Sequence, residues 1–166
     1  RGLDARQHRG RLRVVAPAAT NTPQFVFVTL SLTSPPPPTA VAAWGWNTNG
    51  QTEVPLGLTN AVQASGGFGH SLALRADGTL AAWGDNGHGQ TNVPAGLTNA
   101  VVVAAGDYHS LALRTDGTVV GWGWNNSRQT NVPAGLTNAV AVAAGGYHSL
   151  ALRADGTVVA WGANGS

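Results

Sequence analysis

Gly145-Gly-Tyr-His148-Ser-Leu-Ala-Leu-Arg153-Ala-Asp155-Gly156-Thr-Val-Val-Ala-Trp161-Gly162 reads as two short strands joined by a turn. His148–Arg153 and Thr157–Trp161 alternate between larger and smaller residues, the period of a half-buried strand. Asp155-Gly156 between them is a strong hairpin signal, read as a two-residue turn in which both positions take positive φ. Such a turn sets Arg153 opposite Val158, Leu152 opposite Val159, Ala151 opposite Ala160 and Leu150 opposite Trp161. One face then carries Leu150, Leu152, Val159 and Trp161. The other carries Ala151, Ala160, Val158 and Arg153. Ahead of the hairpin, Ala139–Ala144 is a small apolar run broken by Gly145 and Gly146, a third strand. A bulky face on one such sheet fills the space left by the small face of the next.

The pattern returns every 39 residues. Trp44, Trp83, Trp122 and Trp161 keep that spacing, as do His70, His109 and His148, and Pro55, Pro94 and Pro133. The units are 44–82, 83–121 and 122–160, with another beginning at Trp161. Units two and three agree at 31 of 39 positions, and 23 positions are common to all three, so one local fold serves every unit. Each unit has room for four short strands, the fourth expected at Gln129–Val132. No stretch holds a 3.6-residue apolar period over three turns, and Gly or Pro interrupts every few residues, which argues against helix. Small antiparallel sheets stacked radially make a β-propeller. The expected fold is therefore all-β: a partial propeller of three 39-residue blades with a partial blade on either side. A β-solenoid is the alternative.

Composition narrows the functional classes. The chain has 166 residues, 10% of them charged, and neither Cys nor Met. Absence of Cys excludes disulfides, thiol catalysis and cysteine-based metal sites. Lacking Met even at position 1, the chain reads as a piece of a longer protein. Its net charge of +2 is unevenly spread. Residues 1–43 carry five arginines against Asp4, whereas residues 44–166 carry four arginines against six acids. The repeats thus have no basic stripe for nucleic acid, and no apolar run is long enough for a membrane span. Residues 1–38 form a separate leader: an Arg-rich start, a strand at Gln24–Thr33 that could close an upstream β domain, and the stiff linker Ser34-Pro-Pro-Pro-Pro38. Residues 39–166 form the propeller repeats.

The segments Gly145-Gly-Tyr-His-Ser-Leu-Ala-Leu152, Asp155-Gly-Thr-Val-Val-Ala-Trp-Gly162 and Trp83-Gly-Asp-Asn-Gly-His-Gly-Gln90 resemble the regulator of chromosome condensation repeat family. The resemblance covers about residues 40–166. It implies a seven-bladed propeller of the short-repeat bacterial kind, whose relatives lie in large secreted or surface proteins. One branch with similar Gln-Thr-x-Val-Pro segments includes secreted inhibitors of β-lactamases. Other members, with longer repeats, act in guanine-nucleotide exchange.

Repetition also sorts the residues. Positions constant in every unit serve the blade. His70, His109 and His148 lie too far apart on stacked sheets, roughly 10 Å, to share a metal ion, and are expected to tie groups within their own blade. Asp77, Asp116 and Asp155 are turn residues. Arg75, Arg114 and Arg153 lie over a blade face or pair with a turn Asp. Trp44, Trp83, Trp122 and Trp161 are expected in inter-blade packing, where a buried ring contributes roughly 150–250 Å². Positions that vary are candidates for a partner: Trp46, Asp85, Trp124, His88 and Arg128 in one loop cluster, and Phe68, Asp107, Tyr108 and Tyr147 in another. No paired acids, nucleophile elbow or phosphate loop is present, so no catalytic residue, cofactor or metal is assigned.

The leading expectation is a non-enzymatic protein-interaction module within a larger bacterial extracellular or surface protein, with loops at one rim offering Trp46, Asp85, Trp124, Arg128, Phe68, Tyr108 and Tyr147. Alternatives are an enzyme inhibitor of the β-lactamase-inhibitor type, an exchange-factor-like regulator, and a carbohydrate-binding propeller using Trp46 and Trp124. Because the arc leaves sheet faces uncovered, the isolated chain is expected to self-associate.

Overall fold

The computed structural model describes residues 24–26 and 41–164. All regular elements among them are strands: β1 Gln24–Val26, β2 Ala42–Trp44, β3 Ala61–Gly66, β4 His70–Arg75, β5 Leu80–Gly84, β6 Ala100–Ala105, β7 His109–Arg114, β8 Val119–Gly123, β9 Ala139–Ala144, β10 His148–Arg153 and β11 Val158–Gly162. They form three antiparallel sheets, β3-β4-β5, β6-β7-β8 and β9-β10-β11, and the two-stranded sheet β1-β2. This is a partial β-propeller, one sheet per repeat. Of the expected strand Gln24–Thr33 only Gln24–Val26 is described, and it pairs antiparallel with Ala42–Trp44. The Arg-rich start and the proline run lie outside the described residues.

The hairpins differ from the expected turn by one residue. Gly156 N–H donates to the Arg153 carbonyl at 3.0 Å and Arg153 N–H to the Thr157 carbonyl at 2.9 Å, so Ala154, Asp155 and Gly156 all belong to the loop. Only the glycine has positive φ: 79° at Gly78, 77° at Gly117 and 84° at Gly156. This is a three-residue loop ending in a left-handed glycine. The aspartate acts through its side chain instead. Asp155 Oδ1 accepts from Thr157 N–H at 2.9 Å and from its hydroxyl at 2.6 Å, with the same pair at Asp77 and Asp116. These bonds hold all three carboxyls below the usual carboxylate range.

The extra loop residue slips the register, and a one-residue slip exchanges faces. Leu152 faces Val158, Ala151 faces Val159, Leu150 faces Ala160 and Ser149 faces Trp161. The tryptophan therefore shares the small face with Ser149 and Ala151, while both leucines stand on the other. Complementary packing nonetheless follows. Leu72 and Leu74 of the first repeat sheet pack against Ala112, Val120 and Trp122 of the second. Leu111, Leu113 and Val119 of the second pack against Ala151, Val159 and Trp161 of the third. Fully burying each Leu contributes about 1.5–3 kcal/mol. On the last sheet the same face is open: Val158 is 63% exposed. Trp83 and Trp122 are buried and Trp161 is half-buried, but Trp44, expected in the core, is 41% exposed.

No fourth strand forms at Gln129–Val132. Arg128, Asn131 and Pro133 turn the chain there, with Asn131 N–H on the Arg128 carbonyl and Val132 N–H on that of Thr130. The segment is held by side chains instead. The Gln129 carbonyl accepts from Ser149 Oγ–H and from Trp161 Nε1–H, both at 2.8 Å. Gln90 does the same for Ser110 and Trp122, and Gln51 for Ser71 and Trp83. The chain beyond each Gln then inserts an apolar pair between sheets, Val93 with Leu97 and Val132 with Leu136.

The histidines join blades rather than acting within one. His70 Nε2 meets Ser110 Oγ of the next sheet at 3.0 Å, and His109 Nε2 meets Ser149 Oγ at 3.0 Å. Each serine spends its single proton on the Gln carbonyl, so the histidine must donate and its proton sits on Nε2. Nδ1 is left buried without a partner. It lies over Gly67, where a Cβ would come within 2.7 Å of Nδ1 and would also meet the Gly106 carbonyl. Burial, reinforced by the next histidine along, pushes His70 and His109 down to about 4.

Two outcomes follow from this packing. Trp122→Ala should cost about 3–5 kcal/mol, and Trp124→Ala about 1 kcal/mol, measured by urea unfolding. Equal costs would show that the two tryptophans do the same work. Between pH 6.5 and 4 the unfolded chain binds protons on His70 and His109 that the folded chain refuses, so stability should fall as pH drops through that window. The turn aspartates act only below it. Denaturation midpoints measured across the window should lose most of this slope in the His70→Gln/His109→Gln variant, since Gln can still donate to serine but does not titrate.

Candidate functional site

The variable positions come together on one rim. Positions 46, 85, 124 and 163 follow the strand that carries the repeat tryptophan, while 68–69, 107–108 and 146–147 lie in the loop before each histidine. Backbone bonds join the two groups inside each sheet. Asp85 N–H donates to the Gly69 carbonyl at 2.7 Å, Trp124 N–H to Tyr108 at 2.9 Å and Ala163 N–H to Tyr147 at 2.8 Å. The side chains at these positions are therefore set by the sheet ends.

Their rings form one continuous ribbon. Trp46 meets Phe68 edge-on with centroids 5.4 Å apart, and Phe68 meets Tyr108 at 5.7 Å. Tyr108 contacts His88 at 5.4 Å, Trp124 at 5.5 Å and Tyr147 at 6.4 Å. His88 and Trp124 stand 4.0 Å apart, and Trp124 reaches Tyr147 at 6.5 Å. Such separations are those of favourable aromatic pairs. Trp46, Phe68 and Tyr147 remain more than 40% exposed, whereas Tyr108 and Trp124 are half-buried at the centre. The scaffold tryptophans give their indole N–H to Gln carbonyls; those of Trp46 and Trp124, like the hydroxyls of Tyr108 and Tyr147, find no partner among the described residues.

The charged candidates behave differently. Asp85 is engaged by its own loop: Oδ1 accepts from Gly87 N–H and Oδ2 from Gln90 Nε2, both at 2.9 Å. Where Trp46 and Trp124 replace it, Gln51 Nε2 and Gln129 Nε2 are buried and unpaired. Asp107 lies against Gly146, beside Tyr147. Arg128 is exposed with φ of 63°, in a left-handed position that Gly50 and Gly89 fill in the other units. Holding a side chain there costs on the order of 1 kcal/mol. Sequence comparison between units identified these residues. It also placed loops from the two clusters, 22 or 23 positions apart, at one rim, but did not show which rings touch. The Trp46–Phe68 and Trp124–Tyr147 offsets were the available signal.

The family model described as the regulator of chromosome condensation (RCC1) repeat matches residues 61–90, 100–129 and 139–166, more than half of the chain. The chain belongs to the RCC1 repeat family. Among solved structures, Prp20p of Saccharomyces cerevisiae is 25% identical with a TM-score of 0.64, over 75% of this chain and 41% of that one. Yeast Prp20 in its complex with Kap60 gives 25% and 0.62, over 74% and 39%. The receptor kinase CR4 ectodomain of Physcomitrella patens gives 27% and 0.60, over 75% and 34%. The chain thus spans about two fifths or less of each. No match is found among curated proteins. In this RCC1-repeat chain no three His, Asp or Glu side chains stand close enough for a metal among the described residues, and no helix there is long and apolar enough to cross a membrane.

Asp85 provides a test of which rim residues serve the loop. Asp85→Ala leaves Gln90 Nε2 buried and unpaired and should cost about 1–3 kcal/mol in urea unfolding. An unchanged midpoint would show that Asp85 is free for a partner.

Proposed function

We propose that this chain is a non-enzymatic protein-interaction module of a larger bacterial extracellular or cell-surface protein, and that the aromatic rim is its contact surface. The observation that carries the reading is the unbroken ring contact from Trp46 to Tyr147 across three sheets. Tryptophan and tyrosine dominate the energetics of protein interfaces. Here they stand on strand ends fixed by backbone bonds, so little freedom is lost on binding. Asp107, against Gly146, places a charge beside Tyr147, which suits orientation of a partner. The strained backbone at Arg128 supports the same reading, since strain kept at an exposed loop needs a use. Likeness to Prp20 points the same way: its structures are described with Kap60 bound and with binding to Gsp1p and histones, all proteins.

A photo-crosslinking amino acid placed at Tyr147, and separately at Asp116 in an exposed hairpin turn, tests the rim in cells that make the protein. Protein adducts should form from position 147 and be lost when Trp124→Ala is added. Adducts from position 116 alone, or from neither, would move the contact surface elsewhere.

A further inference from the structure

Five of the chain's nine arginines lie in residues 1–13, outside the repeats. Resting on the reading of the rim as a contact surface, we propose that in the free chain the rim is occupied by the chain's own Arg-rich start, residues 1–13, which a partner must displace. Topology, charge and ring chemistry each point to that occupant.

Topology joins this segment to the sheets at the rim. β1 runs antiparallel to β2, with Gln24 opposite Trp44 and Val26 opposite Ala42. β2 runs toward the rim, since Trp46 lies just beyond its end. β1 therefore runs away from the rim, and Gln24, where the leader joins the sheet, is the end of β1 nearest Trp46. Eleven positions separate Arg13 from Gln24. Extended chain spans at most about 3.3–3.6 Å per residue, so Arg13 can reach on the order of 36–40 Å from that point. The ribbon needs far less: its three steps from Trp46 through Phe68 and Tyr108 to Tyr147 are 5.4, 5.7 and 6.4 Å. A short flexible tether holds the arginines at an effective concentration of order millimolar, so modest contacts suffice.

Charge selects a cation. Loops at the rim carry Glu53, Asp85 and Asp107, against which Arg128 is the one arginine of these loops among the described residues. The acids are spread along the ribbon. Glu53 accepts from Asn47 Nδ2 at 3.2 Å, next to Trp46; Asp85 stands in the middle unit; Asp107 lies against Gly146, beside Tyr147. At the hairpin ends of the sheets, by contrast, Arg75, Arg114 and Arg153 offset the three turn aspartates. Residues 1–13 set five arginines against Asp4 alone.

Ring chemistry suits arginine in particular. A guanidinium stacks flat on an aromatic face while its N–H groups bond in their own plane. Trp46, Phe68 and Tyr147 are each more than 40% exposed. The hydroxyls of Tyr108 and Tyr147, without a partner among the described residues, can accept from the guanidinium N–H groups.

Isothermal titration tests the proposal, with a synthetic peptide of residues 1–14 as probe. Two forms of the full chain are compared: native, and a serine form with Arg1, Arg6, Arg9, Arg11 and Arg13 replaced by serine. The serine form, its rim vacated, should bind the peptide saturably and at least ten-fold more tightly than the native chain, whose rim is filled. Trp124→Ala in the serine form should weaken binding about ten-fold, and Asp107→Asn should lessen its dependence on salt. Far-UV circular dichroism checks that each variant stays folded. Equal affinity for both forms, no binding to the serine form, or indifference to Trp124→Ala would each overturn the proposal. A photo-crosslinking amino acid at Tyr147 of the purified native chain reads the contact directly. Links into residues 1–13 are expected in species one chain long; links found only in species two chains long would assign the rim to a second copy and overturn the proposal. In cells, protein adducts from position 147 should rise in the serine form. Unchanged adducts, with no link to residues 1–13, would sink this inference alone; no adduct from position 147 in either form would sink the contact surface as well.

Discussion

One backbone carbonyl per repeat holds the architecture together. The Gln90 carbonyl accepts one hydrogen bond from Ser110 and another from Trp122, filling both of its lone pairs. Ser110 then accepts from His70 of the preceding sheet. Four residues from four places in the sequence are thereby fixed: the loop before the sheet, its central strand, its last strand and the sheet behind. The consequences are local and strict. Tryptophan must turn its N–H toward the loop, which sets its ring on the small face. Histidine must carry its proton on Nε2. Gly67 and Gly106 must lack side chains, because the unprotonated edges of His70 and His109 lie on them. A buried network of this kind is costly if any member is missing, so the four residue types recur together.

The apolar contacts follow from that arrangement rather than directing it. Once serine and tryptophan share a face with alanine, the facing leucines have space to enter. The loop that carries the carbonyl continues into Val93 and Leu97, or Val132 and Leu136, and seals the gap between sheets. A three-stranded sheet suffices because this loop occupies the place of a fourth strand and bonds through side chains.

Much of this was legible in the sequence, and the errors have definite physical sources. Spacing of the tryptophans and histidines gave the repeat, the strands and the stacking of bulky on small faces. The turn was misjudged because Asp-Gly serves two hairpin types: the two-residue turn and the loop in which only glycine is left-handed and aspartate bonds the threonine after it. That choice moved every pairing by one residue and put Trp161 on the wrong face. The fourth strand was misplaced because an extended-looking Gln-Thr-Asn-Val can serve as a side-chain-held loop. The histidines were assigned to their own blade because a partner 40 residues away leaves no local signature. At the rim, comparison between units found the variable residues, but ring contacts between sheets depend on how the blades stand, which spacing alone does not encode.

The rim also shows how repeats escape their own symmetry. Tyr108 and Tyr147 occupy equivalent positions, but the first unit has Gly69 there and moves its ring one residue back to Phe68. A Cβ at Gly69 would come within 2.8 Å of Asn49 Nδ2 and 3.2 Å of Asp85 Cβ, so a side chain there would have to displace the Asn49 amide. Phe68 restores the line by reaching across to Tyr108. Asp85 satisfies Gln90, whereas the other units leave the Gln amide unpaired. Each unit thus trades a little of its own hydrogen bonding or ring area, while the ribbon across all three stays continuous. Since the latch of serine, tryptophan and histidine is indifferent to these positions, the rim can vary unit by unit without disturbing the sheets that present it.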